Sequence, residues 1–322
     1  MKIVIPDDYQ NAVRSLECYA SVAGHEVVIY NDTVKDVDAL AERFRGAEAL
    51  VLIRERTTIT DPLLVRLPTL RLISQTGRGV PHIDLAACTR HGIAVAVGGG
   101  APYATVELTW GLILAGMRRI PREMAYMKAH GWQSGGAIGL GLRGRTLGIY
   151  GYGKIGGEVA KIGRAFGMNI LVWGREESQS RAGTDGFPMA ASKRELFQQS
   201  DVLSLHLKLN DATRGIVTAD DLAEMKPSAL IVNTSRAELV ASGALISALR
   251  QGRPGFAAVD VYENEPMRAG HPLLHMENVI CTPHLGYVEK DSYELYFREA
   301  FDNLLAFVEG KPANLLNPEA VR

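Results

Sequence analysis

The chain has 322 residues, 47% hydrophobic and 22% charged, with a formal net charge of −1. That length suits two globular domains, each with a sizeable core. The near-neutral balance gives no basic surplus for a nucleic-acid backbone or an anionic membrane surface, so neither is expected as a partner.

The three cysteines, Cys18, Cys88 and Cys281, share no metal-type spacing. An odd, sparse set fits a reducing compartment. The opening MKIVIPDDYQ is a short strand pattern broken by Pro6, not a signal peptide. The most apolar stretch, residues 108–117, is too short to cross a bilayer and is closed by Arg118 and Arg119. A cytoplasmic protein is expected.

Along the chain, strand-like and helix-like patterns alternate. Residues 2–5 read as strand, 8–19 as helix, 26–30 as strand, 37–45 as helix and 49–53 as strand; 70–74 and 93–97 repeat the strand signal. This rhythm implies a parallel sheet covered by helices. Gly98, Gly99, Gly100, Ala101 and Pro102 form a breaker cluster suited to a hinge. A helical pattern then covers 103–129, with Pro121 marking a kink or break, and a glycine-rich loop follows over 131–144. A second strand series occupies 146–150, 169–173, 202–206, 229–233, 256–261 and 279–281, and the chain closes on an amphipathic helix near 292–308.

Gly151-Tyr152-Gly153-Lys154-Ile155-Gly156 is a GxGxxG loop with a strand before it. After it, Ile155, Val159, Ile162 and Phe166 recur at helical spacing. Glycines in that setting serve a dinucleotide. The first allows the tight turn, the second lets backbone approach a pyrophosphate, and the third lets helix pack closely on strand. The phosphates then meet the helix N-terminus. The next strand should end in an acid that grips the adenosine ribose, but Gly174 stands there and Arg175 follows. An arginine can pair with a 2′-phosphate, so NADP is modestly favoured over NAD. The alternative leaves Arg175 in solvent while Glu176 or Glu177 reaches the ribose.

In an open parallel sheet, ligands bind beyond the carboxyl ends of the strands. His206 closes one strand, Asn233-Thr234-Ser235-Arg236 ends the next, Asp260 ends another with Glu263 and Glu265 beyond it, and Thr282-Pro283-His284 follows the last. Ketone reduction by hydride needs a proton donor for the new hydroxyl, and histidine suits that task near neutrality. A neighbouring carboxylate favours the protonated ring. An arginine can hold a substrate carboxylate in a two-pronged grip. Each has a plainer reading as a surface or turn residue, and Cys281 reads as a small packing residue.

The pieces LRGRTLGIYGYGKIG, SLHLKLNDATRG, MKPSALIVNTSRAELV, AVDVYENEP and TPHLGY stand in an order and spacing that resembles the D-isomer-specific 2-hydroxyacid dehydrogenase family, and the likeness covers nearly the whole chain. The resemblance implies an enzyme moving hydride between a nicotinamide cofactor and a small D-2-hydroxy or 2-oxo acid. It implies an α/β fold of two doubly wound domains. A Rossmann dinucleotide-binding domain (101–287) is inserted into a flavodoxin-like substrate domain (1–100 and 288–322). It assigns Arg236 to orient substrate, His284 as acid/base and Glu265 as its partner. It places Thr105, the loop residues Gly151, Gly153, Lys154, Ile155 and Gly156, then Gly174, Arg175, His206, Thr213, Thr234, Asp260 and Gly286 at the cofactor. It gives Arg54, Arg78, Gly79 and Val80 to the substrate, no metal to the site, and a homodimer arm to 103–129.

The sequence also departs from the family pattern. Ala237 follows the arginine where glycine is usual, Tyr287 replaces a small residue, Gly98-Gly99-Gly100 replaces the usual hinge, and Lys208 stands for a proline. Arg54 and Arg56 could serve a phosphate or pair with nearby acids. No regulatory domain is expected after Arg322. The competing expectation is a dinucleotide-sensing interaction protein of corepressor type on the same fold. Formate oxidation is disfavoured because it needs no proton donor paired with a carboxylate.

Overall fold

The computed structural model describes residues 1–133 and 138–321. Residues 134–137, inside the glycine-rich stretch expected over 131–144, lie outside the described residues. The chain divides into two compact units, one of residues 1–101 with 289–322 and one of residues 102–288.

The first unit holds β1 (Lys2–Ile5), β2 (Glu26–Ile29), α1 (Val37–Arg43), β3 (Ala49–Leu52), α2 (Asp61–Leu64), β4 (Leu72–Gln75), α3 (Leu85–Arg90) and β5 (Ala94–Val97). Its five strands are parallel in the order β2-β1-β3-β4-β5, the flavodoxin-like arrangement. The central β3 and β4 are buried at every residue, as expected of strands covered on both faces. Side chains start the helices. Asp36 accepts the Ala39 amide at 3.0 Å and Asp84 that of Ala87 at 2.9 Å.

Residues 8–19 do not form the expected α-helix. They make 3-10 turns at Val13–Ser15 and Glu17–Val22. Asn11 is left-handed at φ 48°, which an α-helix cannot continue through. The Asp8 carboxylate instead gathers the amides of Ala12 and Val13, each at 3.0 Å. Downstream, Gly99 donates its amide to Glu299 of the same unit.

The second unit opens with α4 (Tyr103–Met117) and α5 (Ile120–His130). The break expected at Pro121 falls just before it. Arg119 is left-handed at φ 56°, and Pro121 sits in the first turn of α5, where its missing N–H costs nothing. Then come β6 (Thr146–Tyr150), α6 (Lys154–Ala165), β7 (Asn169–Trp173), α7 (Glu176–Thr184), α8 (Lys193–Gln199), β8 (Val202–Leu205), α9 (Ala219–Ala223), β9 (Leu230–Asn233), α10 (Ala244–Arg250), β10 (Phe256–Val259) and β11 (Val279–Cys281). The parallel sheet runs β11-β10-β9-β8-β6-β7. A parallel bridge from Val172 to Met189 adds a one-residue rudiment outside β7. Counted in, it restores the Rossmann order, with its switch point between β6 and β8.

Each face of this sheet carries its own core. Trp110, Ile113, Ile149, Val159 and Val232 pack on one side, and the Trp110 ring stacks on Phe166 at 4.9 Å. Leu196, Phe197, Leu203, Ile231 and Leu249 fill the other. A fully buried side chain of this size contributes about 2–3 kcal/mol. The last helix, α11 (Lys290–Val308), returns to the first unit. There the Ser74 hydroxyl of β4 donates to the Ala300 carbonyl at 2.8 Å.

Candidate active site

The glycine loop joins β6 to α6. Gly151 is left-handed at φ 97°, and a Cβ there would meet the His206 carbonyl oxygen at 2.8 Å. A Cβ on Gly156 would overlap the Gly151 carbonyl. Only glycine lets the helix start this close to the strand. Gly153 differs: a Cβ on it would point into open space. The only demand on it is room for something that approaches.

Gly153 also begins α6, whose first turn has no acidic residue and no side-chain cap. Its leading amides are thus left to meet an anion. Lys154 is exposed at this end and Ile155 half-buried. The second loop residue, Tyr152, turns inward, is 3% exposed and donates its hydroxyl to Asp185 at 2.6 Å. The cradle therefore fits the pyrophosphate of a dinucleotide.

His206, just past β8, walls this loop. Its Nε2 lies 2.9 Å from the Ser204 hydroxyl. Protein surrounds the half-exposed ring closely enough that burial pulls its pKa down to about 4, which leaves it neutral near pH 7. Gly174 lies beside Gly151, and a Cβ on it would meet Ser178 at 3.0 Å. Arg175 starts α7 exposed to solvent, while Glu177 pairs with Arg181 at 3.9 Å. Thr213 has a local task. Its hydroxyl donates to the Lys208 carbonyl at 2.7 Å and accepts the Asn210 amide at 2.8 Å, which ties its own loop.

The segments after β9 and β11 are laced to α4 by hydroxyls. Thr109 and Thr234 share a buried hydrogen bond of 2.8 Å, and Thr105 donates to the Gly286 carbonyl at 2.7 Å. Asp260 is fully buried. Its Oδ1 accepts the Thr282 hydroxyl at 2.6 Å and the Leu285 amide at 2.7 Å, and its Oδ2 accepts the Gly286 amide at 2.8 Å. Burial still pushes this carboxyl above its ordinary value, although those donors and His284 pull against it. Asp260 thereby fixes the turn that carries the histidine.

His284 is left-handed at φ 53°, uncommon for a residue with a Cβ. Its Nδ1 is 2.7 Å from Glu265 Oε2. The other carboxylate oxygen, Oε1, accepts the Tyr262 amide at 3.0 Å. Burial alone would raise the Glu265 carboxyl. The His284 hydrogen bond and charge, the Tyr262 amide and the Arg236 charge outweigh it, so its pKa is lowered and it is ionised. A carboxylate only accepts, so Nδ1 donates and Nε2 is the nitrogen left for substrate chemistry. Arg236, half-buried after β9, donates to the Ser235 carbonyl at 2.8 Å. The backbone carbonyl of Arg236 accepts Asn233 Nδ2 at 2.9 Å.

The other sequence candidates belong to the first unit. Arg54 is left-handed at φ 53°, and its guanidinium lies over the Tyr296 ring at 5.4 Å. Arg78 is exposed, and the Val80 side chain packs against the core formed by Leu52 and Ile83. Among the described residues, the amides of Arg78, Gly79 and Val80 have no acceptor. Sequence reasoning missed Thr109, Leu285 and Tyr262, which hold the site by hydrogen bonds, and it named Thr282 only as a strand-end residue without its bond to Asp260. Apart from the Tyr262 amide on Glu265, their contacts join distant segments, so no local pattern announces them. Among the described residues no His, Cys, Asp and Glu cluster could hold a metal, and no helix is long and apolar enough to cross a membrane.

Comparison with known proteins bears on this site. Residues 110–286 match the family model described as D-isomer specific 2-hydroxyacid dehydrogenase, NAD binding domain. A glyoxylate reductase from Aeropyrum pernix is 39% identical, covering 88% of this chain and 87% of its own. A D-3-phosphoglycerate dehydrogenase from Methanocaldococcus jannaschii is 36% identical over 89% of this chain, but the match spans only 53% of that protein. Among solved structures, one from Ralstonia solanacearum with a D-3-phosphoglycerate dehydrogenase designation is 56% identical. It covers 100% of this chain and 98% of its own, with a TM-score of 0.98.

Proposed function

Because the chain belongs to the D-isomer specific 2-hydroxyacid dehydrogenase family, we propose that it is a nicotinamide-dependent oxidoreductase acting on the CH–OH group of small D-2-hydroxy acids. The observation that carries this reading is the 2.7 Å pair between His284 Nδ1 and Glu265, in the same unit as the glycine cradle.

The bound cofactor supplies hydride in reduction and accepts it in oxidation. In reduction, protonated His284 gives its Nε2 proton to the carbonyl oxygen as the hydroxyl forms. Glu265 steadies the imidazolium through Nδ1, and Arg236 holds the substrate carboxylate beside it. In the oxidation direction the same ring takes the proton back. Gly151, Gly153, Lys154, Ile155 and Gly156 cradle the pyrophosphate. Thr105, Thr234, Asp260 and Gly286 shape the nicotinamide end, with His206 and Thr213 along the way. In the first unit, Arg54 and the amides of Arg78, Gly79 and Val80 are candidates for binding a substrate carboxylate.

Glyoxylate and a phosphoglycerate-like acid are substrates to try given the names of the relatives, with hydroxypyruvate as a further small 2-oxo acid. For the cofactor we favour NADP modestly over NAD, because Gly174 and the exposed Arg175 stand where an acid would otherwise bind the ribose. Arg175→Ala should cut kcat/KM for NADPH about tenfold and leave NADH within about twofold, the scale of losing one charge-assisted contact. Equal losses would remove the NADP assignment. A homodimer is the assembly we favour, with Ile120, Met124 and Met127 exposed along α5. A cytoplasmic location is the one we favour, from the odd and sparse set of cysteines, Cys18, Cys88 and Cys281. No observation favours the corepressor reading. The direct test is NADPH or NADH oxidation against a panel of 2-oxo acids, and silence across the panel would overturn the proposal.

A further inference from the structure

The Tyr287 ring meets the His284 imidazole edge-on, with centroids 5.5 Å apart and planes at 75°. Tyr287 is 6% exposed, so the ring is packed in place. Its backbone position is set by neighbours already described. Asp260 holds the amides of Leu285 and Gly286 at 2.7 and 2.8 Å, Thr105 holds the Gly286 carbonyl, and Val288 closes the turn by donating to Leu285 at 2.8 Å. The ring therefore stands on a fixed support.

His284 needs such a support. Its backbone is left-handed, and Glu265 fixes only one nitrogen. A single hydrogen bond leaves the imidazole able to swing about the Nδ1 contact. A ring packed edge-on against it removes that freedom, and edge-to-face is the arrangement aromatic pairs prefer.

We propose that Tyr287 is a positioning residue, which braces the His284 imidazole so that Nδ1 stays on Glu265 and Nε2 stays aimed at the reacting oxygen. This rests on the reading of His284 as the acid/base. The brace acts on the chemical step, because the proton must travel along a set direction while substrate and cofactor bind through other groups.

The test compares Tyr287→Ala and Tyr287→Phe with the wild-type enzyme on glyoxylate, with cofactor affinity and Tm measured alongside. Tyr287→Ala should lower kcat about tenfold or more, with KM and cofactor Kd within about twofold, since misplacement of about an ångström can cost on the order of a hundredfold. Tyr287→Phe keeps the ring and should restore kcat to within about twofold of wild type. Unchanged kcat in Tyr287→Ala overturns the brace. So does a loss that falls on KM or cofactor affinity, or one that Phe does not repair. A wild-type enzyme without turnover, by contrast, defeats the functional reading itself.

Discussion

Asp260 holds Gly286 by a 2.8 Å hydrogen bond from the glycine amide to Oδ2, and a Cβ on that glycine would approach the same oxygen at 3.3 Å. One buried carboxylate thus links the end of β10 to the turn after β11 that carries His284. Asp260→Ala should strand the Leu285 and Gly286 amides and the Thr282 hydroxyl. Each stranded group costs about 1–3 kcal/mol, so denaturant unfolding should show a loss of at least ~3 kcal/mol. Wild-type stability would mean the turn is held by something else.

Two glycines of the same loop should respond differently. Gly156→Ala forces a methyl into the Gly151 carbonyl and to 3.2 Å from Ile149. It should cost about 1–3 kcal/mol of stability and weaken cofactor binding as well. Gly153→Ala places its methyl in open space. It should leave Tm nearly unchanged yet weaken cofactor binding about tenfold or more, by the arithmetic of a lost close approach. Calorimetry of both variants with NADPH and NADH separates the two effects. Equal cofactor affinity in Gly153→Ala and wild type would refute the cradle.

The two carboxylates of the site should pull stability in opposite directions with pH. Glu265 is lowered from its ordinary 4.5, so its native interactions favour folding fully above that value and fade as pH falls through its folded pKa. Asp260 is raised from its ordinary 3.8. Its burial cost is fully present above its folded pKa and is relieved as pH falls through that value towards 3.8. Unfolding of wild type and Glu265→Gln between about pH 3 and 7 should therefore show its largest gap above 4.5 and a shrinking one below. A gap that widens in acid would reverse the assigned sign.

What the sequence makes legible follows from how local the physics is. Gly151 and Gly156 can be read because a left-handed turn and a close backbone approach require them, and Gly153 because it completes the spacing of the same short loop. Strands β6, β7 and β11 can be read because covered parallel strands are nearly pure apolar runs. Residues 8–19 mislead because helix-like spacing hides a left-handed Asn11 and an Asp8 that takes the amides for itself. The strand rudiment at Met189 is too short to leave a pattern. In the site, His284, Glu265 and Arg236 lie in recognisable motifs. Thr109, Thr282 and the ring contact of Tyr287 arise only once α4 and the turn after β11 are folded.

In the proposed reaction His284, held by Glu265, moves the proton while the glycine cradle binds the cofactor independently. The measurement that reaches this most directly is single-turnover reduction of glyoxylate by His284→Ala, with cofactor Kd determined on the same preparation. General acid catalysis is commonly worth 10²–10⁴-fold, so His284→Ala should lose about that order in the chemical step with cofactor Kd within about twofold. A variant that turns over at the wild-type rate, or one whose only defect is lost cofactor binding, would contradict the proposed reaction.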